Sequence, residues 1–187
     1  MNKELRAGQP VEIRAEKDTI KVAGYAAVFD SETSIGGYYN ERIERGAFAE
    51  AIGRDDVVFV INHEGLPLAR TRSGTLTLRE DDHGLYMETE LDPEDPDVKS
   101  IVPKMKRGDL DKMSFAFLPE VQEWDDSGEI PVRTIKKASL YDVSIVTNPA
   151  YNDTEIGLRS LGEFREKEIK HSGELVAAKM RMKLALS

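Results

Sequence analysis

Three short apolar runs, rich in β-branched and aromatic residues, limit what this sequence can fold into. Each is bounded by polar or turn-forming residues, the pattern typical of a strand inside a sheet. The runs are Asp56–His63, Met113–Phe117 and Ala138–Thr147. We therefore predict a mainly β fold with flanking helices, an α+β arrangement, in which these runs are central strands.

Each run also carries a polar residue that is a candidate for catalysis. His63 ends the first, Ser114 lies in the second and Asp142 lies in the third. A serine hydroxyl becomes a strong nucleophile when a neutral imidazole takes its proton, and a carboxylate on the other ring nitrogen fixes the imidazole tautomer. The chain order and the lack of a Gly-x-Ser-x-Gly motif disfavour the chymotrypsin, subtilisin and α/β-hydrolase folds. The three residues are a candidate catalytic triad of another fold.

Strand periodicity predicts the surroundings of the serine. Alternation places Met113, Phe115 and Phe117 on one face and Ser114 with Ala116 on the other. The bulky face is expected to join the core. The small-residue face is expected to lie open to an extended peptide.

Turn residues and hydrophobic spacing predict the other elements. Val11–Ala15 and Thr19–Phe29 form one hairpin, Gly74–Glu80 and Gly84–Leu91 form another, and Asp30–Tyr39 is a loop. A short helix is predicted over Glu44–Ile52, closed by Gly53, and a longer one from Asp95 and Pro96 to Gly108.

Composition narrows the classes of partner and cofactor. The chain has 187 residues, a net charge of −9 and no dense basic segment, which argues against nucleic-acid binding. It has no long apolar run or export signal, so we expect no membrane partner and a protein that acts where it is made. Cysteine is absent, and the three histidines, His63, His83 and His171, are far apart. No metal site and no cofactor is predicted.

The C-terminal end differs in charge from the rest of the chain. Residues 163–187 contain six Lys or Arg and four Asp or Glu, against 20 and 31 in the remainder. Apolar residues recur there at helical spacing. We predict a domain over 1–160 and a helical arm over 161–187, which is either a detachable or partner-binding segment or an ordinary helix packed on the domain.

Four segments together resemble motifs of the prohead (capsid maturation) serine proteases of tailed phages, the HK97 type. They are Glu41–Phe48, Asn62–Glu64, Gly108–Phe117 and Asp142–Ala150. They occur in the order of the family's motifs. The resemblance extends from about Val22 to about Tyr151.

The resemblance implies a fold, an activity and a place of action. The implied fold is a closed β-barrel of the herpesvirus assembly-protease type with surrounding helices. The implied activity is serine endopeptidase cleavage of the scaffolding segment of the major capsid protein, and of the protease itself, inside the immature capsid in the host cytoplasm. With this activity, the arm over 161–187 becomes a candidate for removal by self-cleavage. The family's histidine falls on His63, its serine on Ser114 and its third position, often glutamate, on Asp142. The herpesvirus enzymes dimerise, so a homodimer is a candidate assembly, although no feature of this sequence defines a dimer surface.

Several alternatives stay open at the level of sequence. Glu64 and Asp111 are rivals of Asp142 for the acidic role, and Arg70 or Arg72 is a candidate oxyanion donor by analogy with the herpesvirus enzymes. The chain could also be a non-enzymatic capsid scaffold or assembly chaperone on the same fold. An esterase or amidase acting on small substrates is less favoured, because no glycine-rich oxyanion loop accompanies the serine.

Overall fold

The computed structural model describes residues 3–15, 19–148, 161–167, 169–171 and 173–174. The chain divides into two compact units, Met1–Asp153 and Thr154–Ser187. The helices of the first unit are α1 (Ala49–Arg54) and α2 (Pro96–Arg107). Its strands are β1 (Glu4–Pro10), β2 (Glu12–Ala15), β3 (Ile20–Val28), β4 (Thr33–Ile35), β5 (Tyr39–Ile43), β6 (Val58–Ile61), β7 (Glu64–Arg70), β8 (Leu76–Glu80), β9 (Gly84–Leu91), β10 (Lys112–Asp125) and β11 (Val132–Val146).

The strands form two sheets. The first has the order β1-β10-β11-β5-β4, and β6 also pairs with β11 and with β7. Because β11 is long, its first part pairs in parallel with β5 and its second part in parallel with β6. The second sheet is antiparallel throughout, with the order β2-β3-β9-β8. The two predicted hairpins, β2–β3 and β8–β9, are confirmed.

One hydrophobic core joins both sheets and α2. As expected for alternating strands, Met113, Phe115 and Phe117 are fully buried, and the Phe115 ring stacks on Phe117 with the centroids 5.2 Å apart. The helix α2 buries the predicted face, namely Val98, Ile101, Val102 and Met105. Its N-cap is Asp95, whose side chain accepts the Asp97 N–H, and its C-cap is Gly108 at φ 79°.

The expected closed β-barrel is wrong. In the part of the chain that the structure describes, the first sheet ends at β1, β4 and β7, the second ends at β2 and β8, and neither closes on itself. Closure requires hydrogen-bonded pairing between the first and last strands. Instead, β1 ends at Pro10, which has no N–H to donate, and the chain continues into β2 of the other sheet. Mainly β with few helices is the correct description.

Two local predictions also differ from the structure. The predicted loop Asp30–Tyr39 contains β4 and the start of β5, joined by a turn in which Gly36 and Gly37 have φ of 60° and 76°. The serines and glycines correctly indicated the turn, but they also led us to miss the short strands on either side of it. The helix α1 begins at Ala49, five residues later than predicted, and continues through Gly53 to Arg54 instead of stopping at the glycine.

In the second unit, residues 161–167, 169–171 and 173–174 are helical. The rest of the predicted arm lies outside the described residues, as do residues 149–160. The division at residue 160 and the removal of the arm by self-cleavage stay predictions. Among the described helices, none has the length and apolar character needed to cross a membrane.

Candidate active site

The three candidate residues come from adjacent strands of the first sheet. Ser114 on β10 lies directly opposite Ser144 of β11, and Asp142 lies two residues earlier on the same face of β11. The second part of β11 pairs with β6, so the turn that follows β6 lies beside both side chains. That turn carries His63. The apolar runs identified from the sequence therefore deliver all three residues to one place.

The side chains form a continuous hydrogen-bonded series. His63 Nε2 is 2.8 Å from Ser114 Oγ, and His63 Nδ1 is 2.5 Å from Asp142 Oδ1. The rival carboxylates Glu64 and Asp111 are both exposed. It is Asp142 that reaches the imidazole. A carboxylate only accepts, so it favours the tautomer with the proton on Nδ1, and this leaves the Nε2 lone pair facing the serine.

The turn that presents His63 has an uncommon backbone. Asn62 and His63 have φ of 51° and 62°, in the left-handed region, which costs about 1–2 kcal/mol for each non-glycine residue. Hydrogen bonds to β11 and the residue that follows it offset this cost: the Asn62 N–H donates to Ile145 O, and Asn62 Oδ1 accepts the Thr147 N–H, each at 3.0 Å. The turn that carries the imidazole is therefore hydrogen-bonded to its neighbouring strand, and this restrains the position of His63.

Asp142 is almost completely buried but remains strongly paired. Burial alone would raise the pKa of its carboxyl group, yet hydrogen bonds from His63 and Lys3 and the charge of the Lys3 ammonium outweigh burial and lower the pKa. The Lys3 ammonium is 2.5 Å from Oδ2 and its side chain is 42% exposed. The carboxylate is therefore kept ionised, as the orienting role requires. No pattern in the sequence predicted the role of Lys3, because this contact joins residues 139 positions apart.

Ser114 is fully buried, so the expectation of an open face is wrong at this residue. Its Oγ lies 2.8 Å from the backbone oxygen of Arg6 on β1, which pairs with the edge of β10 next to the serine. The hydroxyl has one proton and faces two acceptors, Arg6 O and His63 Nε2. A peptide carbonyl can reach Oγ only after the covering atoms move.

A buried cluster of four charges fixes the position of β1. Glu4 and Arg6 of β1 meet Glu41 of β5 and Arg133 of β11, and all four are at most 7% exposed. Arg6 contacts both oxygens of Glu41 at 2.6 and 2.9 Å, and Arg133 contacts both oxygens of Glu4 at 2.8 and 2.9 Å. Burial alone would raise the pKa of Glu4, but Arg133 and Arg6 outweigh it and lower that pKa. The cluster thereby holds the Arg6 carbonyl against Ser114.

The arginines considered as oxyanion donors lie at another carboxylate. Arg70 Nη2 is 2.6 Å and Arg72 Nε is 3.1 Å from Asp56 Oδ2. These contacts place both guanidinium groups in a surface ion-pair cluster at the start of β6. An oxyanion role for either would require it to leave Asp56, and that role stays a prediction.

A serine, an imidazole and a carboxylate in hydrogen-bonded series is the arrangement that serine hydrolases use, here on a mainly β fold. The family model of the caudovirus prohead serine proteases matches residues 9–168. The chain belongs to this family and is a serine protease. The resemblance noted from the four motifs is confirmed, and the non-enzymatic and esterase alternatives are set aside.

A solved structure with a similar fold is the capsid assembly protease gp21 of bacteriophage T4. The TM-score is 0.51 at 11% sequence identity, and the match covers 79% of this chain and 98% of that chain. At this identity the likeness shows the fold alone. A comparison with curated proteins gives no match.

Proposed function

We propose that this protease cleaves the scaffolding segment of the phage major capsid protein inside the immature capsid, within the host cytoplasm. Ser114 is the nucleophile, His63 is the general base and then the general acid, and Asp142 orients the imidazole. The observation that carries the proposal is the 2.8 Å separation of His63 Nε2 and Ser114 Oγ, with Asp142 on the other ring nitrogen. Membership of the prohead protease family supports the choice of substrate.

The geometry supports a two-step acyl transfer. Ser114 Oγ attacks the peptide carbonyl carbon while its proton passes to His63 Nε2, and Asp142 stabilises the imidazolium that forms. The imidazolium then gives its proton to the leaving amine as the carbon–nitrogen bond breaks. In the second step water attacks the ester carbon while His63 Nε2 accepts its proton, and the imidazolium returns that proton to Ser114 Oγ as the acyl–oxygen bond breaks.

Asp142→Asn is expected to lower the reactivity of Ser114 on the order of 10³–10⁴-fold. A carboxamide N–H that donates to Nδ1 favours the tautomer with the proton on Nε2, which cannot accept from the serine. The rate of modification by a fluorophosphonate probe, which labels activated serine hydroxyls with loss of fluoride, measures the effect. Asp142→Glu keeps the charge and should retain substantially more activity. An asparagine variant within tenfold of the natural enzyme would contradict the assigned role.

Co-expression with the major capsid protein of the same phage tests the substrate. Mass spectrometry is expected to show a shortened capsid protein with the natural protease and a full-length one with His63→Ala, because the base is lost. His83→Ala is the matched control, since His83 is an exposed turn residue whose ring packs on Tyr25. If the capsid protein stays intact while Ser114 still reacts with the probe, the substrate is wrong and the serine protease assignment stands.

The same samples test self-cleavage and the role of the C-terminal arm. We propose that residues 161–187 tether the protease to the capsid precursor and are then removed by the enzyme itself; the net positive charge of residues 163–187, opposite to that of the remaining chain, supports this. The natural protease should lose a C-terminal fragment that His63→Ala retains. An intact C-terminus alongside a shortened capsid protein would refute removal of the arm.

A further inference from the structure

The side chain of Ser144 lies at the centre of the candidate site, at the position of β11 directly opposite Ser114. Its Oγ is 3.0 Å from Asp142 Oδ1, 3.1 Å from His63 Nδ1 and 3.2 Å from the backbone nitrogen of His63. The residue is fully buried. One hydroxyl therefore contacts the imidazole, the carboxylate and the backbone that carries the imidazole.

The hydrogen-bonding capacity of this hydroxyl is fully used. Asp142 as a carboxylate only accepts, so the single proton of Ser144 is donated to Oδ1. The two lone pairs then face the backbone N–H of His63 and the ring nitrogen Nδ1. This pattern requires the imidazole proton on Nδ1, in agreement with the requirement set by Asp142. Both neighbours thus favour an Nε2 lone pair directed at Ser114.

The contact with the backbone of His63 has a separate effect. His63 has a left-handed conformation, and its N–H points to β11 because Ser144 accepts it. The side chain of Ser144 therefore restrains both the backbone of His63 and its imidazole ring. The third contact restrains the carboxylate that the ring must meet. A small relative displacement of reacting groups costs up to about 10²-fold in rate. Loss of these contacts is therefore expected to slow the reaction of Ser114.

We propose that Ser144 is a positioning residue that aligns His63 with Asp142. This rests on the proposed function of His63, Ser114 and Asp142, and it adds a fourth side chain to the site. Ser144 is fully buried and its hydroxyl contacts His63 and Asp142, so its effect is transmitted through the imidazole. Because it follows Asp142 by two positions on the same face of β11, a single strand supplies both the carboxylate and the group that aligns it.

Fluorophosphonate labelling of purified full-length variants tests the rate. Ser144→Ala is expected to lower the maximal labelling rate about 10–100-fold, with the probe concentration for half-maximal rate within about twofold of the natural value. Ser144→Thr keeps the hydroxyl and should recover most of the rate. Ser139→Ala, on the same strand with its Oγ bonded to Glu120, is the matched control and should label normally. Ser114→Ala should not label; if it labels normally, the proposed function fails.

Proton NMR of the imidazole separates positioning from a general structural role. In a Ser114→Ala background, which needs no activity, the Nδ1–H signal of the short His63–Asp142 hydrogen bond is expected to be present. Adding Ser144→Ala should move that signal upfield or broaden it through exchange with water. A Ser144→Ala enzyme that labels at the natural rate would overturn the proposal. So would an unchanged Nδ1–H signal in the folded double variant.

Discussion

Replacing Ser114 with alanine is expected to reduce proteolysis by at least about 10³-fold, to the level that binding and electrostatic stabilisation alone support. The variant lacks the oxygen that lies 2.8 Å from His63 Nε2, and in a triad the members act as a unit. The measurements are capsid-protein cleavage in the co-expression system and fluorophosphonate labelling of the purified chain. The label on the natural enzyme should map to the peptide that contains Ser114.

Ser127→Ala is a suitable control for this loss. Ser127 lies exposed at the tip of the β10–β11 hairpin, where its hydroxyl is bonded to Asp125, and its removal should leave cleavage unchanged. The unfolding midpoints of both variants show whether the fold is retained. Cleavage by a folded Ser114→Ala variant at a rate near that of the natural enzyme would exclude Ser114 as the nucleophile.

Arg133→Met is expected to lower the free energy of unfolding by about 3–5 kcal/mol. Arg133 is 1% exposed and donates to both Glu4 and Glu41, which it shares with Arg6. Without it, two buried carboxylates share one guanidinium group, and the cluster carries an uncompensated negative charge. Urea unfolding followed by circular dichroism measures the change. Activity should fall as well, because the cluster positions β1 against the Ser114 strand.

Two further variants identify the buried charge as the cause. Lys136→Met, three residues along β11, removes a cation whose partner Glu123 is 64% exposed, and the urea midpoint is expected to stay close to that of the natural protein. Adding Glu4→Gln to Arg133→Met makes the cluster neutral again and should recover part of the stability. A loss below about 1 kcal/mol for Arg133→Met would mean that the cluster contributes little to the fold.

The residues of the candidate site could be predicted because each leaves a local mark. His63, Ser114 and Asp142 each interrupt or end an apolar strand pattern, and such patterns depend only on neighbours along the chain. The strand β1 left no such mark. Its inward-facing residues, Glu4 and Arg6, are charged, so its pattern is the reverse of an ordinary strand with a buried face. Their burial depends on partners 35 and 129 positions away.

The sequence by itself determined the central strands, both hairpins, the helix α2 and the three residue types of the site. All of these follow from side-chain period, capping and turn chemistry, which act over a few residues. Only the tertiary structure decided that Asp142 and not Glu64 or Asp111 meets His63, that Ser114 is covered, and that the sheets stay open. These outcomes depend on hydrogen bonds and ion pairs between distant segments. The free energy of these contacts depends on which distant groups the fold brings together. The periodicity of residues along the chain carries no information about such pairs.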